Sequence, residues 1–497
     1  MKRYYFILLA FCCAIFSQIE AQTIVSVPPG STLNNVITTD ADRIYELTRG
    51  AIYFVNAPIS HQGFHLHIRS TGNPDFARPL IVADPPSADV DINALFEARD
   101  QLTLEGIHLT QRNTLGATFE RMLRARANDI RITLRDCLLD DTGQTVFRLD
   151  NAGAKIYVYD CVASRLGEPS NPDNGRFIDD RGVLVDTIVI ENSLIYGVTS
   201  RIIRDGGSDI NYARFNQSTF ANTGQRCFAL GPVGTLIFTN NIVADGIFLA
   251  RGIDDDRTTL DPDTTAAGIG SWVIGYNNFF ISPEVAALTP EVQSDNDTIE
   301  LAPYFNAETL AAIAAGGWEN TNLEEVLDFA NPAPVPVDFI ETHHNDGAPG
   351  PWDHSGLEAD EALTSGVGSG TYPRYSTYHN YGYPQSAASY TGGTDGQPLG
   401  ANLPGFDFMV NVSDLIDENR ILYYPNPVGE SLFIKHLDGV AIEQAVVFDL
   451  QGRALRQYYP QAGDQLEANL NGLAPGVYVV MVTDARKQVA TRKIVKQ

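Results

Sequence analysis

The residues with the most suggestive chemistry in this 497-residue chain are four basic side chains on a near-regular spacing. Arg176, Arg201 and Arg226 follow one another at 25-residue steps, and Lys155 precedes Arg176 by 21. A guanidinium offers a planar fork of donors that holds a carboxylate or sulfate through two parallel hydrogen bonds. Three of them in one column would grip a polyanion at several points. The alternative is plain surface pairing with Asp179, Asp180 and Asp205, which are close in sequence. Lys155 stands out by scarcity, because no other lysine occurs between Lys2 and Lys435 while arginines are plentiful.

A column of this kind needs a scaffold that returns about every 25 residues, and a repeated phrase supplies one. LTLEGIHLT, ITLRDCLLD, IYVYDCVAS, IVIENSLIY, ARFNQSTFA, LIFTNNIVA and WVIGYNNFF recur from about residue 101. Their alignment puts Gly106, Asp136, Asp160, Asn192, Gln217, Asn240 and Asn277 in one column, at intervals of 30, 24, 32, 25, 23 and 37 residues. Each phrase alternates β-branched or aromatic with polar residues and then turns, as a short strand does. A second strand follows in TVFRLD, GRFIDD, SRIIRD, QRCFAL and GIFLAR. Several short strands per period, with no helical pattern between them, describe one coil of a parallel β-helix. Stacked coils pair backbones about 4.8 Å apart, and polar side chains at the turn column would stack as a hydrogen-bonded ladder. A leucine-rich repeat would need leucines at fixed offsets and a helix per unit, neither of which occurs. A sandwich of β-hairpins is the remaining alternative.

Over about residues 23–285 the repeat resembles the pectate-lyase-like right-handed parallel β-helix, and more narrowly the secreted β-helix proteins related to chondroitinase B and alginate lyases. It does so through its periodicity, not through an invariant string. The right hand comes with the family and agrees with the general preference of parallel crossovers. The resemblance implies β-elimination on a uronate-containing polysaccharide. That reaction requires a neutralised carboxylate, a base for the C5 proton and an acid for the leaving oxygen. In the related lyases a Lys and an Arg from neighbouring coils are base and acid, roles that would fall here to Lys155 and Arg176. Arg176, Arg201 and Arg226 would contact the sugar. The acidic Ca²⁺ ligands that accompany the Lys in that family have no match, since Asp150 is the only carboxylate in FRLDNAGAK. Ca²⁺ is thus the metal the family would bring, and the metal requirement stays open. The reading favoured is a polysaccharide-binding protein, with a polysaccharide lyase as the alternative. A hydrolase of this fold clusters several Asp on one strand, and Asp179–Asp180 is the only echo of that.

Other constellations are sparser. His65 and His67 share one face of a strand, but no third metal ligand is indicated. His343, His344 and Asp346 fall in a Gly-rich loop. Asp254, Asp255, Asp256, Asp261 and Asp263 form an acidic run without the spacing of a known Ca²⁺ loop. Cys137 and Cys161 follow the turn column in adjacent coils and read as buried free thiols, because parallel neighbours rarely orient for a disulfide.

The ends of the chain specify its route. Lys2 and Arg3, an apolar run from Tyr4 to Phe16 and a polar exit to Gln22 read as a signal peptide over 1–22. No stretch reaches the eighteen apolar residues of a membrane span. A net charge of −27 argues against nucleic acid and anionic membrane as partners. Residues 286–412 read as an irregular capping segment with short helices, in SPEVAALTPEV and NAETLAAIAAGG, and no core of its own. Residues 413–497 hold YPNPV, VVFDLQGR, LNGLAPGVYVVMV and a terminal KIVKQ, a pattern of short strands and turns that suggests a small Ig-like β-sandwich. The order and spacing of these phrases resemble the C-terminal sorting domain of type IX secretion cargo. That resemblance implies passage across the outer membrane, with the secretion machinery and a sortase-like peptidase as partners. The fold class expected is therefore all-β.

Overall fold

A computed structural model describes residues 22–38, 43–87, 90, 92–168, 171–250, 257–266, 268, 270–288, 300–346, 361–364, 371–374, 378–406, 408, 420–437, 439–449, 454–460, 465–484 and 489–497. Of residues 342–346, 361–364, 371–374, 454 and 489 it describes the backbone alone. Residues 1–21, which hold nearly all of the expected signal peptide, and Asp254, Asp255 and Asp256 lie outside the described residues. The chain forms two compact units, the first over residues up to 382 with 387–407, the second over 383–386 with 408–497.

The first unit is a parallel β-helix. Each coil contributes a strand to each of three sheets, in the order seen for Arg131–Arg135 (sheet 1), Leu138–Thr142 (sheet 2) and Thr145–Leu149 (sheet 3). Every strand pairs in parallel with its counterpart one coil away, as Arg131 does with Lys155 and Leu138 with Val162. Sheet 2 holds nine strands, from Ile52–Val55 to Asn278–Phe280. The strand Phe228–Thr239 serves two sheets, pairing with Ile203 in sheet 3 and with Tyr212 in sheet 1. One continuous apolar core fills the coils, with Phe215, Phe220, Phe228 and Phe238 packed edge-to-face and tilted at centroid distances of 4.8–6.5 Å.

The corner between sheets 1 and 2 explains the repeated phrase. Gly106, Asp136, Asp160, Asn192, Gln217, Asn240 and Tyr276 all take positive φ, between 44° and 67°. Short polar side chains tolerate the left-handed region, which accounts for Asp and Asn in this column. At Gly106 a Cβ would stand 2.2 Å from the Ser70 hydroxyl, so glycine is required there. The last member of the column is Tyr276, not Asn277 as the alignment suggested.

Asn277 belongs one position later, and that position carries the ladder. The Cys137 amide donates to Cys161 Sγ (3.4 Å), Cys161 to Ser193 Oγ (3.1 Å), and Ser193 to Ser218 Oγ (3.1 Å). Ser218 then donates to Asn241 Oδ1 (3.0 Å), Asn241 to Asn277 Oδ1 (2.9 Å) and Asn277 to Asn322 Oδ1 (3.2 Å). The amides released by the turn are thus satisfied inside the core by the next coil's side chain. Cys137 and Cys161 are buried free thiols within this ladder. The turn-column side chains point outward: Asn192 Nδ2 donates to Asp160 Oδ1 (2.7 Å) as a rung of the expected ladder, Asp136 pairs with Arg49 and Arg78, and Asn192, Gln217 and Asn240 bind the later segment. Asn192 Oδ1 accepts from Asn402 N (2.7 Å), Asn240 Oδ1 from Thr394 N (2.8 Å), and Gln217 Nε2 donates to Pro398 O and Gly400 O at 2.5 and 2.6 Å.

Residues 300–346, 378–382 and 387–406 belong to the same unit as the coils, and the α-helices of that unit lie at Pro283–Leu288, Ala307–Gly316 and Val337–Asp346. The second unit is two antiparallel sheets of three and four strands, closed over a core that includes Leu432, Ile434, Val447, Leu466, Val480 and Ile494.

Asn241 is a doubly committed ladder position, because it also donates to Phe215 O at 2.9 Å. Asn241→Ala leaves the Ser218 amide buried without a partner and opens a void. We expect a loss of about 2–3 kcal/mol, read by denaturant unfolding, against about 1 kcal/mol for Ser193→Ala.

Candidate functional site

Sheet 3 presents two outward columns. Thr145, Arg176 and Arg201 are direct register partners in one; Glu97, Arg124, Arg148, Asp179 and Arg204 form the other. The intervening Phe177, Ile178, Ile202 and Ile203 are buried in the core, so the strand cannot rotate and the arginines are held outward. Arg226 continues the first column, since Ile202 N and Ile203 N both donate to the adjoining Cys227 O (2.8 and 3.2 Å).

The arginines differ in how their charge is met. Arg176 contacts Asp179 at 3.1 Å and donates to Asp173 O at 2.8 Å. Arg204 reaches the other Asp179 oxygen at 2.9 Å, and Arg226 pairs with Asp261 at 3.1 Å. Arg201 donates to Ser200 Oγ at 3.3 Å and has no carboxylate within ion-pair distance among the described residues. Burial pushes its guanidinium down to about 10, and the charges of Arg176 and Arg226 push in the same direction. The three arginines therefore feel one another across the coils.

Towards the N-terminal coils the same face is neutralised. Arg124 and Arg148 converge on Asp150 at 2.8 and 3.0 Å, Arg124 also reaches Glu97, and Arg121 pairs with Glu120. Arg121, Arg124, Arg148 and Arg204 were not singled out in the sequence. The phrases RMLRAR and FRLD carry the signal, but the column passes through Thr145 and an insertion stretches the next step to 31 residues, which hides it.

Lys155 does not join Arg176. It stands on sheet 1 between Arg131 and Thr187, with Nζ 3.6 Å from Asp186. The other candidates have local partners. The His65 and His67 rings stack at 5.8 Å, with His65 bonded to Thr103 Oγ1 and His67 to Glu105. Asp261 is shared by Arg226 and Asn306. His343, His344 and Asp346 are helical, not in a loop, and their side chains lie outside the description. Among the described residues no group of three or more His, Cys, Asp or Glu is placed to hold a metal.

A second polar cluster escaped sequence reasoning altogether. Asp140, buried on sheet 2, accepts from Arg165 Nε at 2.7 Å and lies 3.7 Å from His108. Burial works to raise its carboxyl, but Arg165 and His108 outweigh it and hold the group well below its ordinary value. Tyr196 in the next coils packs against His379 and Tyr381, so this cluster is closed over by the later segment.

In the second unit the chain end is woven into the fold. Val428 N donates to Val495 O (2.7 Å), Gln497 N to Val428 O (2.9 Å), and Val495 N to Asn426 Oδ1 (3.0 Å). The YPNPV phrase and the last strand, Val489–Lys496, thus hold one another in place. Residues 422–497 match the family described as the secretion system C-terminal sorting domain. The C-terminal unit is a type IX sorting domain. It engages the type IX machinery and directs export across the outer membrane to the cell surface or the extracellular space. No curated protein matches the chain. Among the described residues no helix is long and apolar enough to cross a membrane.

The sorting domain's dependence on its last residues gives a first test. A chain ending at Arg492 loses the Val428 and Asn426 contacts while the β-helix is untouched. Cell fractionation should find it retained inside the cell, whereas the native chain reaches the surface or medium.

A second test concerns Asp180, beside the arginine face. Its Oδ1 accepts from Gly182 N (2.9 Å) and Gly206 N (2.6 Å), and it is fully buried. Burial raises its carboxyl to about 7, with Asp205 adding to the effect. A carboxyl raised on folding favours the protonated native state. Stability is therefore lost as pH climbs from the unfolded value of about 3.9 to about 7 and is level above that. Asp180→Asn keeps the Oδ1 acceptor and cannot ionise. Its melting temperature should match the native protein near pH 4 and exceed it near pH 8, the difference in unfolding free energy being bounded at about 4 kcal/mol.

Proposed function

We propose that the exported protein binds an acidic polysaccharide along the outer face of sheet 3, through Arg176, Arg201 and Arg226. The observation that supports this most directly is Arg201, a half-buried guanidinium between two others with no carboxylate at ion-pair distance among the described residues. Three neighbouring cations repel one another, and a ligand carrying carboxylates or sulfates removes that repulsion while filling the guanidinium forks. The chain as a whole carries −27, so attraction must be short-range and confined to this face. An extended face with repeating charge suits a polymer better than a small anion. Binding is favoured over β-elimination because Lys155 and Arg176, the base and acid a lyase would require, stand on different sheets. A signal peptide over residues 1–22 would start the export that the sorting domain completes, with a sortase-like peptidase then removing that domain.

Affinity measurements with alginate, pectate and glycosaminoglycans test the proposal. Arg201→Ala should weaken binding of the preferred glycan by about tenfold or more, and Arg201→Lys should recover only part of it. Arg135→Ala on sheet 1 should leave affinity unchanged. Native affinity in Arg201→Ala, or accumulation of unsaturated uronates in the mixture, would sink the proposal.

A further inference from the structure

Sheet 2 carries a hollow of the opposite polarity. Its outward column runs Tyr196, Ala221, Ala244, Phe280 in direct register across four coils. Two small side chains between two aromatics leave a notch, and residues 326–335 cross above it without filling it. The result is a cavity of about 510 Å³, within the roughly 300–1,000 Å³ of small-ligand sites. Phe280, Phe329 and Tyr381 form a continuous wall, with ring centroids 5.9 and 4.9 Å apart. Pro332 and Pro334 stiffen the roof, and Asn222 Nδ2 fixes it by donating to Ala333 O at 3.2 Å. The cavity is therefore preformed.

Its charged groups are all of one sign. Asp245 is 4% exposed and lines the cavity, oriented by its bond from Ser282 N at 2.7 Å. Glu284 and Asp328 stand on the same lining at exposed positions. No lysine, arginine or histidine lines the cavity, and none of the three carboxylates has an ion-pair partner among the described residues. A buried carboxylate without a cation is costly, and aromatic faces add attraction for an ammonium.

We infer that this cavity binds an organic amine with a flat apolar body, its ammonium against Asp245 and its body between Phe280, Phe329 and Tyr381. The site is independent of the arginine face, from which it differs in sheet, charge and ligand class.

Calorimetry of the full chain with 2-phenylethylamine, and with 2-phenylethanol as the uncharged counterpart, tests this. The amine should bind saturably at one site, and the alcohol about tenfold more weakly or worse. Asp245→Asn, which keeps the acceptor for Ser282, should cost the amine about the same factor. Ala244→Leu should fill the notch and abolish binding, while Glu284→Gln, at an exposed position that cannot unfold the protein, should weaken it by about threefold. Equal binding of amine and alcohol, no binding of either, or native affinity in both Ala244→Leu and Glu284→Gln overturns the inference.

Discussion

Everything outward-facing in the β-helix depends on how each coil is locked to the next at the corner between sheets 1 and 2. A left-handed turn residue breaks the strand, and the amide after it is satisfied by a buried side chain from the following coil, from Cys137 through to Asn322. Because that acceptor sits in the core, slippage by one residue would strand a buried donor and turn an apolar side chain outward at once. Register is therefore over-determined, and columns on the surface inherit it. Arg176 lies beside Arg201 because the ladder and the apolar core leave the strands no other pairing.

The same rigidity gives the surface its electrostatic character. In a protein of net charge −27, most arginines on sheet 3 are met by carboxylates of their own or adjacent coils. The column fails to neutralise itself at Arg201, where Asp179 is committed to Arg176 and Arg204. On sheet 2 the reverse holds, with Asp140 tightly paired to Arg165 and Asp245 left without a cation. Arg201 on one face and Asp245 on the other are thus charges that the fold itself does not pair, and in each case a stiff backbone prevents relaxation towards a partner.

The repeat, most of its strands and the sorting domain were legible in the sequence because period and turn residues are local signals; GIFLAR, expected as a second strand, instead begins with a turn over 246–249, and Leu260–Asp263 takes the sheet 3 place of that coil. Spacing also put Arg176 and Arg201 in one column. The misplacement of Asn277 is instructive, since the turn column is defined by backbone conformation and Tyr276 adopts it against residue preference. The ladder was expected at the turn itself, where Asn192 and Asp160 do join, whereas the conformation throws those side chains outward and gives the next residue the internal role. Lys155 was grouped with Arg176 by the base and acid pair that the lyase resemblance implies and by a sequence distance close to one coil. A separation of 21 residues is short of the step from sheet 3 to sheet 3 and leads from sheet 1 to sheet 3 instead. Arg165, Asp140 and the Asp245 cavity left no periodic trace, because distant residues 326–335 and 378–381 complete them.

Arginine-selective dicarbonyl labelling, read residue by residue with and without a bound acidic polysaccharide, tests the account at its centre. Protection concentrated on Arg176, Arg201 and Arg226, with Arg131 and Arg135 on sheet 1 labelled as before, is the result it predicts. Protection of the sheet 1 arginines with Arg201 unaffected would contradict it.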